Sequence, residues 1–395
     1  MDTKTLLEWS AKYHTPNYGA RAPIVLVRGD GVRVWDSEGR EYLDFGAGIA
    51  VTSLGHCHPR VTGAIQEAAA TLLHVSNLYH SAPQIHLAKL LIEHSFADRV
   101  FFSNSGAEAN EAALKLARKY ARERISSDRY EFVSTRNSFH GRTFATVAAT
   151  GQEKYHHGFE PLVPGFKHIA YNDLRAMERA IDNRTAGVII ECVQGEGGVN
   201  IGEEDYLRGL RKLCDQSGAL LIIDEIQTGV ARTGRLWCYE HYGIEPDIMT
   251  LAKALANGVP IGAMLTREEI ASVLVAGTHG STFGGTPFIT SVALATLTTI
   301  LDGKLWERAA RMGRYLMDGL RNLQAPAVKA VRGKGLLIGA ELDRPVGPVV
   351  DACREAGLLV LSAGERVLRL TPPLIVEERD CDRALGIIGA AVGRA

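Results

Sequence analysis

Through its middle the chain repeats one pattern: a short run of continuously apolar residues, then a stretch with helical periodicity. "RVFFSN" leads into "AEANEAALKLARKYARE", and "YEFVSTR" follows. "AGVIIECVQ" precedes "EEDYLRGLRKLCDQSG", and "ALLIIDEIQ" and "PDIMTLAKAL" come after. Strands separated by helices form βαβ units and lie mainly parallel in one sheet. Helices then cover both faces, which is why such strands are apolar throughout rather than alternating. In open parallel sheets ligands gather beyond the carboxyl ends of the strands, so the polar residues after each run are the candidates for function.

The two ends of the chain read differently. "VRVWD" and "EYLDF" are short strand-like pieces near the start. Near the end come "VKAVRGKGLLIGAEL", a helix-like "VVDACREAGLL" and "RVLRLTPPLIV". We expect a smaller α/β domain built from both ends, residues 1–55 and 301–395, around a large domain over 56–300. With 395 residues, 46% of them hydrophobic, the chain can fill such a core. A formal net charge of -1 and the lack of a basic run speak against nucleic acid. The start lacks the apolar core of a signal peptide, and no uncharged run reaches spanning length. Six scattered cysteines without a Cys-x-x-Cys pair fit reduced thiols. A cytoplasmic protein with no membrane partner is expected.

"GHCHPR", Gly55 to Arg60, carries two histidines around a cysteine. Consecutive positions cannot easily reach one ion, so this reads as a turn before a helix near Pro59, and no metal site is expected. His156 and His157 are read the same way.

Four features carry chemistry. Asp224 ends the run "ALLIID", where a carboxylate projects from a strand end or caps the next turn. Ser105, Gly106, Ala107 and Glu108 form a Ser-x-x-Glu capping box before a helix with Ala109, Ala112, Ala113, Leu116 and Ala117 on one face. The start of that helix offers free amides and the positive end of the dipole, suited to a phosphate. In "NSFHGRT", Phe139 covers a planar ring or is ordinary core, and Arg142 clamps a carboxylate or makes a surface ion pair. Lys253 sits inside the apolar "DIMTLAKALANGVPIGAML". A lysine is rarely buried unless paired or chemically used.

Together these meet the needs of pyridoxal phosphate. Burial lowers a lysine's pKa, so its amine can lose a proton and bond the cofactor's aldehyde. A carboxylate opposite the pyridine nitrogen keeps it protonated, so the ring accepts electrons.

The motifs "FFSNSGAEANEAALKLAR", "NSFHGRT", "VQGEGGV", "LLIIDEIQTGVARTG", "LAKALANGVPIGAM", "HGSTFGGTP" and "VRGKGLLIGAEL" resemble the omega-aminotransferase class of fold-type I pyridoxal phosphate enzymes. Within it they are most similar to the acetylornithine aminotransferases. The resemblance runs from about Tyr18 to Pro373. It implies that Ser105, Gly106 and Ala107 hold the phosphate, Phe139 stacks on the ring, Asp224 pairs with the pyridine nitrogen and Gln227 contacts the ring hydroxyl. Lys253 would be the covalent tether and then the proton carrier. Arg142, with Tyr18 near it, would bind a substrate carboxylate, and Ser281 would touch substrate. Thr282 would bind the phosphate of the neighbouring subunit, making the working unit a homodimer. Arg369 would bind the α-carboxylate of glutamate, with Glu196 as its switchable partner.

The sequence departs from the family pattern in places. Thr286 stands where asparagine is common and Cys192 where proline is usual; Val230-Ala231 and Ala256-Asn257 stand where glycines are frequent. Ile49 stands where ornithine aminotransferases carry a tyrosine that places a free α-amine, so an acylated or absent α-amine fits better. The expected reaction is transfer of the terminal amine of N-acetylornithine to 2-oxoglutarate, giving N-acetylglutamate 5-semialdehyde and glutamate in arginine biosynthesis. The alternatives are another ω-amine donor (N-succinylornithine, 4-aminobutyrate, ornithine or an acylated lysine precursor) and, more remotely, an aminomutase on the same fold. A cofactor-binding regulator would not require the paired arginine and glutamate.

Overall fold

The computed structural model describes residues 2–19, 21–323 and 325–394. Its centre is a seven-stranded sheet. In spatial order the strands are Arg99–Ser103, Gly262–Thr266, Ile248–Leu251, Leu220–Asp224, Thr185–Ile190, Glu131–Thr135 and Phe166–Ile169. The last five run parallel to one another. Gly262–Thr266 runs antiparallel to both its neighbours.

The continuously apolar runs are explained by two packed faces. Leu220 and Ile222 point into one cluster with Ala112, Ala113 and Leu116 of the helix Gly106–Arg124. Leu221 and Ile223 point into the other, with Leu207, Leu210 and Cys214 of the helix Glu204–Ser217. Alternate residues leave opposite faces of a strand, so both sets must be apolar when both faces are covered. Gly218 ends the second helix in a left-handed conformation, and its amide bonds back to the Cys214 carbonyl.

The single antiparallel strand shapes the site. A parallel neighbour would need a long crossover, whereas an antiparallel one follows a short turn. Residues 252–261 make that turn, and Gly262 then pairs with Ser103. The turn carrying Lys253 therefore lies beside the start of the helix that follows Ser103.

The chain ends meet in a second sheet. Leu26–Asp30, Arg33–Asp36 and Glu41–Asp44 form an antiparallel meander, and Leu358–Leu359 joins it in parallel, with Leu358 opposite Leu43. A further antiparallel sheet holds Val328–Lys334, Leu337–Leu342, Val367–Leu370 and Leu361–Ala363. Residue 300, where the large domain was expected to end, lies within the helix Pro287–Asp302.

The "GHCHPR" stretch is a turn followed by the helix Pro59–Thr71. His56 Nε2 lies 2.8 Å from Asp44 Oδ2, and Cys57 is exposed. Among the described residues, no three histidine, cysteine, aspartate or glutamate side chains are grouped to hold a metal. No single helix among them is long and apolar enough to cross a membrane.

Candidate active site

A cavity of about 390 Å³ opens at the carboxyl edge of the large sheet. Its walls include Ser105, Gly106, Ala107, Phe139, Arg142, Asp224, Gln227 and Lys253, which lie far apart in sequence. Four separate connections deliver them, each at the end of a strand of the large sheet.

Asp224 is held by three donors. Its Oδ1 accepts the Ile226 amide at 3.0 Å, so it does cap its own turn. Its Oδ2 accepts Asn110 Nδ2 at 2.8 Å and faces His140 Nδ1 at 2.9 Å. Asn110 Oδ1 in turn accepts the Thr250 hydroxyl at 2.7 Å, and Thr250 is the register partner of Asp224 on the next strand. Asn110 and His140 are both at most 1% exposed. Neither was singled out by sequence reasoning. Asn110 had a signal, being a polar residue on the apolar face between Ala109 and Ala113. His140 lay inside the "NSFHGRT" motif without an assigned role.

The helix Gly106–Arg124 begins at the cavity wall. Ser105 is its cap, its side chain accepting the Glu108 amide at 3.2 Å. The expected capping box is only half formed. Glu108 Oε2 reaches past the cap to the backbone and side-chain nitrogens of Asn104, at 2.6 and 2.8 Å. The first-turn amides of Gly106 and Ala107 have no carbonyl four residues behind them to bond, so they remain available to an anion.

Lys253 stands in the turn Lys253–Ala256 with φ of +44°, a left-handed backbone that a side chain rarely adopts. Such strain persists only where the surroundings enforce it, and it concentrates at functional sites. Burial pulls its amine below the ordinary lysine range, while the charge of Glu196 pulls the other way.

Phe139 forms another wall. Its amide donates to Glu191 Oε2 at 3.0 Å, and the Gly195 amide reaches Glu191 Oε1 at 3.3 Å. Burial pushes the Glu191 carboxyl up to about 7. Glu191 also lines the cavity and was not foreseen from sequence, because it falls inside the apolar run "AGVIIECVQ".

Glu196 and Arg369 form a closed ion pair at 2.6 Å. The same Arg369 Nη1 donates to the Gly195 carbonyl at 3.1 Å and to Gln227 Oε1 at 3.2 Å. Gln227 Nε2 donates to Glu196 Oε1 at 3.3 Å, so the pair is tied to the cavity wall through Gln227. A Cβ at Gly195 would sit 2.2 Å from Gln227 Oε1, so any other residue there would push Gln227 aside.

Arg142 is exposed at the cavity mouth, its guanidinium 3.7 Å from the Tyr155 ring centre and 5.5 Å from that of Phe139. Five of the expected residues do not line the cavity: Glu196 and Arg369, which reach its wall only through Gln227, and Tyr18, Ser281 and Thr282. Tyr18 is 75% exposed on a short turn, with Arg21 over its ring. Thr282 is exposed. Ser281 bonds Asn104 Nδ2 at 3.1 Å and lines a separate hollow with Asn77 and His279.

Three of the family departures share a backbone basis. Val230, Ala231 and Asn257 have φ of +53°, +71° and +47°, which explains why glycine suits these positions. Thr286 caps the helix Pro287–Asp302, and Cys192 is fully buried beside the sheet.

The family model for class-III aminotransferases matches residues 15–392. The chain belongs to the class-III aminotransferase family. It is 49% identical over 97% of its length to the acetylornithine aminotransferase of Caldanaerobacter subterraneus, covering 98% of that protein. It superposes on the N-acetylornithine aminotransferase of Stenotrophomonas maltophilia with a TM-score of 0.83 at 38% identity, covering 96% and 98% of the two chains. It superposes on the ornithine aminotransferase of Toxoplasma gondii with a TM-score of 0.94 at 38% identity, covering 98% and 94%. That Toxoplasma structure has partial occupancy of PLP at its active site.

Proposed function

We propose that this class-III aminotransferase moves the terminal amine of N-acetylornithine to 2-oxoglutarate, using pyridoxal phosphate, in arginine biosynthesis. The observation that carries the reading is the convergence of a buried lysine, a strand-end carboxylate and a helix N-terminus on one cavity. The acetylornithine aminotransferases among its relatives support the choice of donor.

The residues fit the cofactor. The amides of Gly106 and Ala107, with Ser105, would hold the phosphate. Phe139 would cover the ring and Gln227 would meet its hydroxyl. Asp224 would face the pyridine nitrogen, and its three fixed donors keep it aimed. When bound, the cofactor supplies an aldehyde to capture amines and a protonated ring to accept electrons.

Lys253 supplies the amine that is free to lose a proton because it is desolvated. The same nitrogen then carries a proton between neighbouring carbons as a general base and acid. Arg142 would bind the α-carboxylate of acetylornithine. Arg369 would bind that of glutamate once Glu196 releases it. Ser281, in the separate hollow, and Thr282, which is exposed, would serve the site of a second copy, with Tyr18 near the substrate. Exposed Leu72, Leu73, Leu78, Tyr79 and Phe283 form apolar surface near Thr282 that a homodimer would cover. Six free thiols, five of them buried, fit a reducing cytoplasm.

The test is a panel of amine donors with 2-oxoglutarate. N-acetylornithine is expected to give the highest kcat/KM, above ornithine, N-succinylornithine and 4-aminobutyrate. Lys253→Ala is expected to lose turnover by at least about a thousandfold while still binding cofactor noncovalently. A higher kcat/KM for ornithine would give the donor role to the unacylated amine. Turnover without consumption of 2-oxoglutarate would make the enzyme an aminomutase.

A further inference from the structure

Beside the main cavity lies a second one of about 350 Å³, lined by Arg142, Thr143, Phe144, Val147, Tyr155 and Phe159. Arg142 belongs to both. The other walls are mostly apolar, and Phe144 and Phe159 are 69% and 60% exposed. Large exposed aromatics beside a catalytic cavity are a feature the transamination steps do not use.

Arg142 is the hinge of the argument. Its guanidinium stacks 3.7 Å from the Tyr155 ring centre, and Phe139 and Tyr155 meet edge to face at 5.8 Å. Stacking holds the plane of the guanidinium but leaves its in-plane N–H groups free for a carboxylate. In an N-acylornithine the carboxylate and the acylamino group share one carbon. If Arg142 holds the carboxylate, the acyl group starts from the carbon next to it and lies close to Arg142. The ring and the aliphatic chain would occupy the main cavity. The space left in contact with Arg142 is the second cavity.

We propose that this second cavity is the acyl subsite, with Phe144, Val147 and Phe159 packing on the acyl group of the donor. This rests on the proposed donor class. The lining carries no second cation, so an apolar acyl group is favoured over one ending in a carboxylate. The cavity also has room beyond an acetyl group.

The experiment measures kcat/KM for N-acetyl-, N-butyryl- and N-succinylornithine with the wild-type holoenzyme and with Phe159→Arg. Each value is normalised to the same protein's glutamate half-reaction. Phe159 is exposed, so the arginine can be accommodated without unfolding the core. In the wild type, butyryl is expected within about tenfold of acetyl, because added methylenes find apolar walls. In Phe159→Arg the succinyl-to-acetyl ratio is expected to rise at least about tenfold, as a new cation meets the succinyl carboxylate. An unchanged ratio, or a hundredfold or greater loss on going from acetyl to butyryl, would overturn the subsite. Wild-type enzyme that turned over ornithine but no N-acylornithine would overturn the donor reading itself, and the subsite with it.

Discussion

Arg369 is only 2% exposed, and Glu196 is the carboxylate paired with its guanidinium. Burial works against the charge of Glu196, but Arg369 outweighs it and holds the carboxyl below its usual range. Removing one partner of a buried pair strands the other. In the proposed reaction that is useful in one half only, because the carboxylate of glutamate can take the place of Glu196. Acetylornithine has no carboxylate beside its reacting carbon, so an open Arg369 would be unpaired. Glu196→Ala should therefore leave the glutamate half-reaction intact or faster. It should slow the ω-amine half-reaction by about tenfold, equivalent to about 1.4 kcal/mol in the barrier. With ornithine the share of reaction at the α-amine should rise. Single-turnover absorbance with product analysis reads all three. Equal slowing of both halves would leave Glu196 a structural residue.

At the scale of elements, the lysine turn is anchored to the N-terminal segment by one side chain. Asn257 ends the turn Lys253–Ala256 in a left-handed conformation. Its Oδ1 accepts the Leu54 amide at 2.7 Å and its Nδ2 donates to the Gly55 carbonyl at 3.0 Å. The tethered segment continues from the residues 47–50, which all have positive φ, and from Val51, a cavity wall. Its other end is held by Asp44, which accepts the amides of Gly46 and Ala47 at 3.1 and 2.8 Å. Asn257→Ala loses two hydrogen bonds and puts a Cβ without compensation at a left-handed site. It should destabilise the protein by about 2–3 kcal/mol. Asn257→Gly loses the same bonds but not the backbone fit, so it should cost about 1 kcal/mol less. Denaturant unfolding of both variants gives the comparison. Equal losses would mean that backbone strain plays no part at this position.

At the scale of the molecule, a single chain leaves Thr282 facing outward beside exposed apolar surface. A hybrid dimer of one Thr282→Ala chain and one Lys253→Ala chain tests what that means. If Thr282 serves the neighbour, both lesions fall in the same site and the other site stays active. Inactivity of the hybrid, alongside an impaired Thr282→Ala homodimer, would place the contact within one chain.

Residue pattern by itself determined the sheet, the helices and several of the residues that line the cavity. Doubly covered strands must be apolar on both faces, and a polar group directly after such a strand must emerge at the ligand edge. Asp224, Ser105 and Arg142 were legible for that reason, Gly106 and Ala107 because they open a capped helix, and Lys253 because a charge inside an apolar run needs a cause. Tertiary structure decided what depends on neighbours distant in sequence. The antiparallel course of Gly262–Thr266 is set by pairing with Ser103 and not by composition. The hold of Asn110 and His140 on Asp224 joins residues up to 114 positions apart. The diversion of Glu108 from Ser105 to Asn104 depends on a loop geometry that no spacing encodes. The second cavity beside Arg142 exists only because the turn Glu153–Tyr155 folds back to put Tyr155 under the guanidinium. Local periodicity fixes which side of an element is buried; the shape of the space between elements is fixed only when they pack.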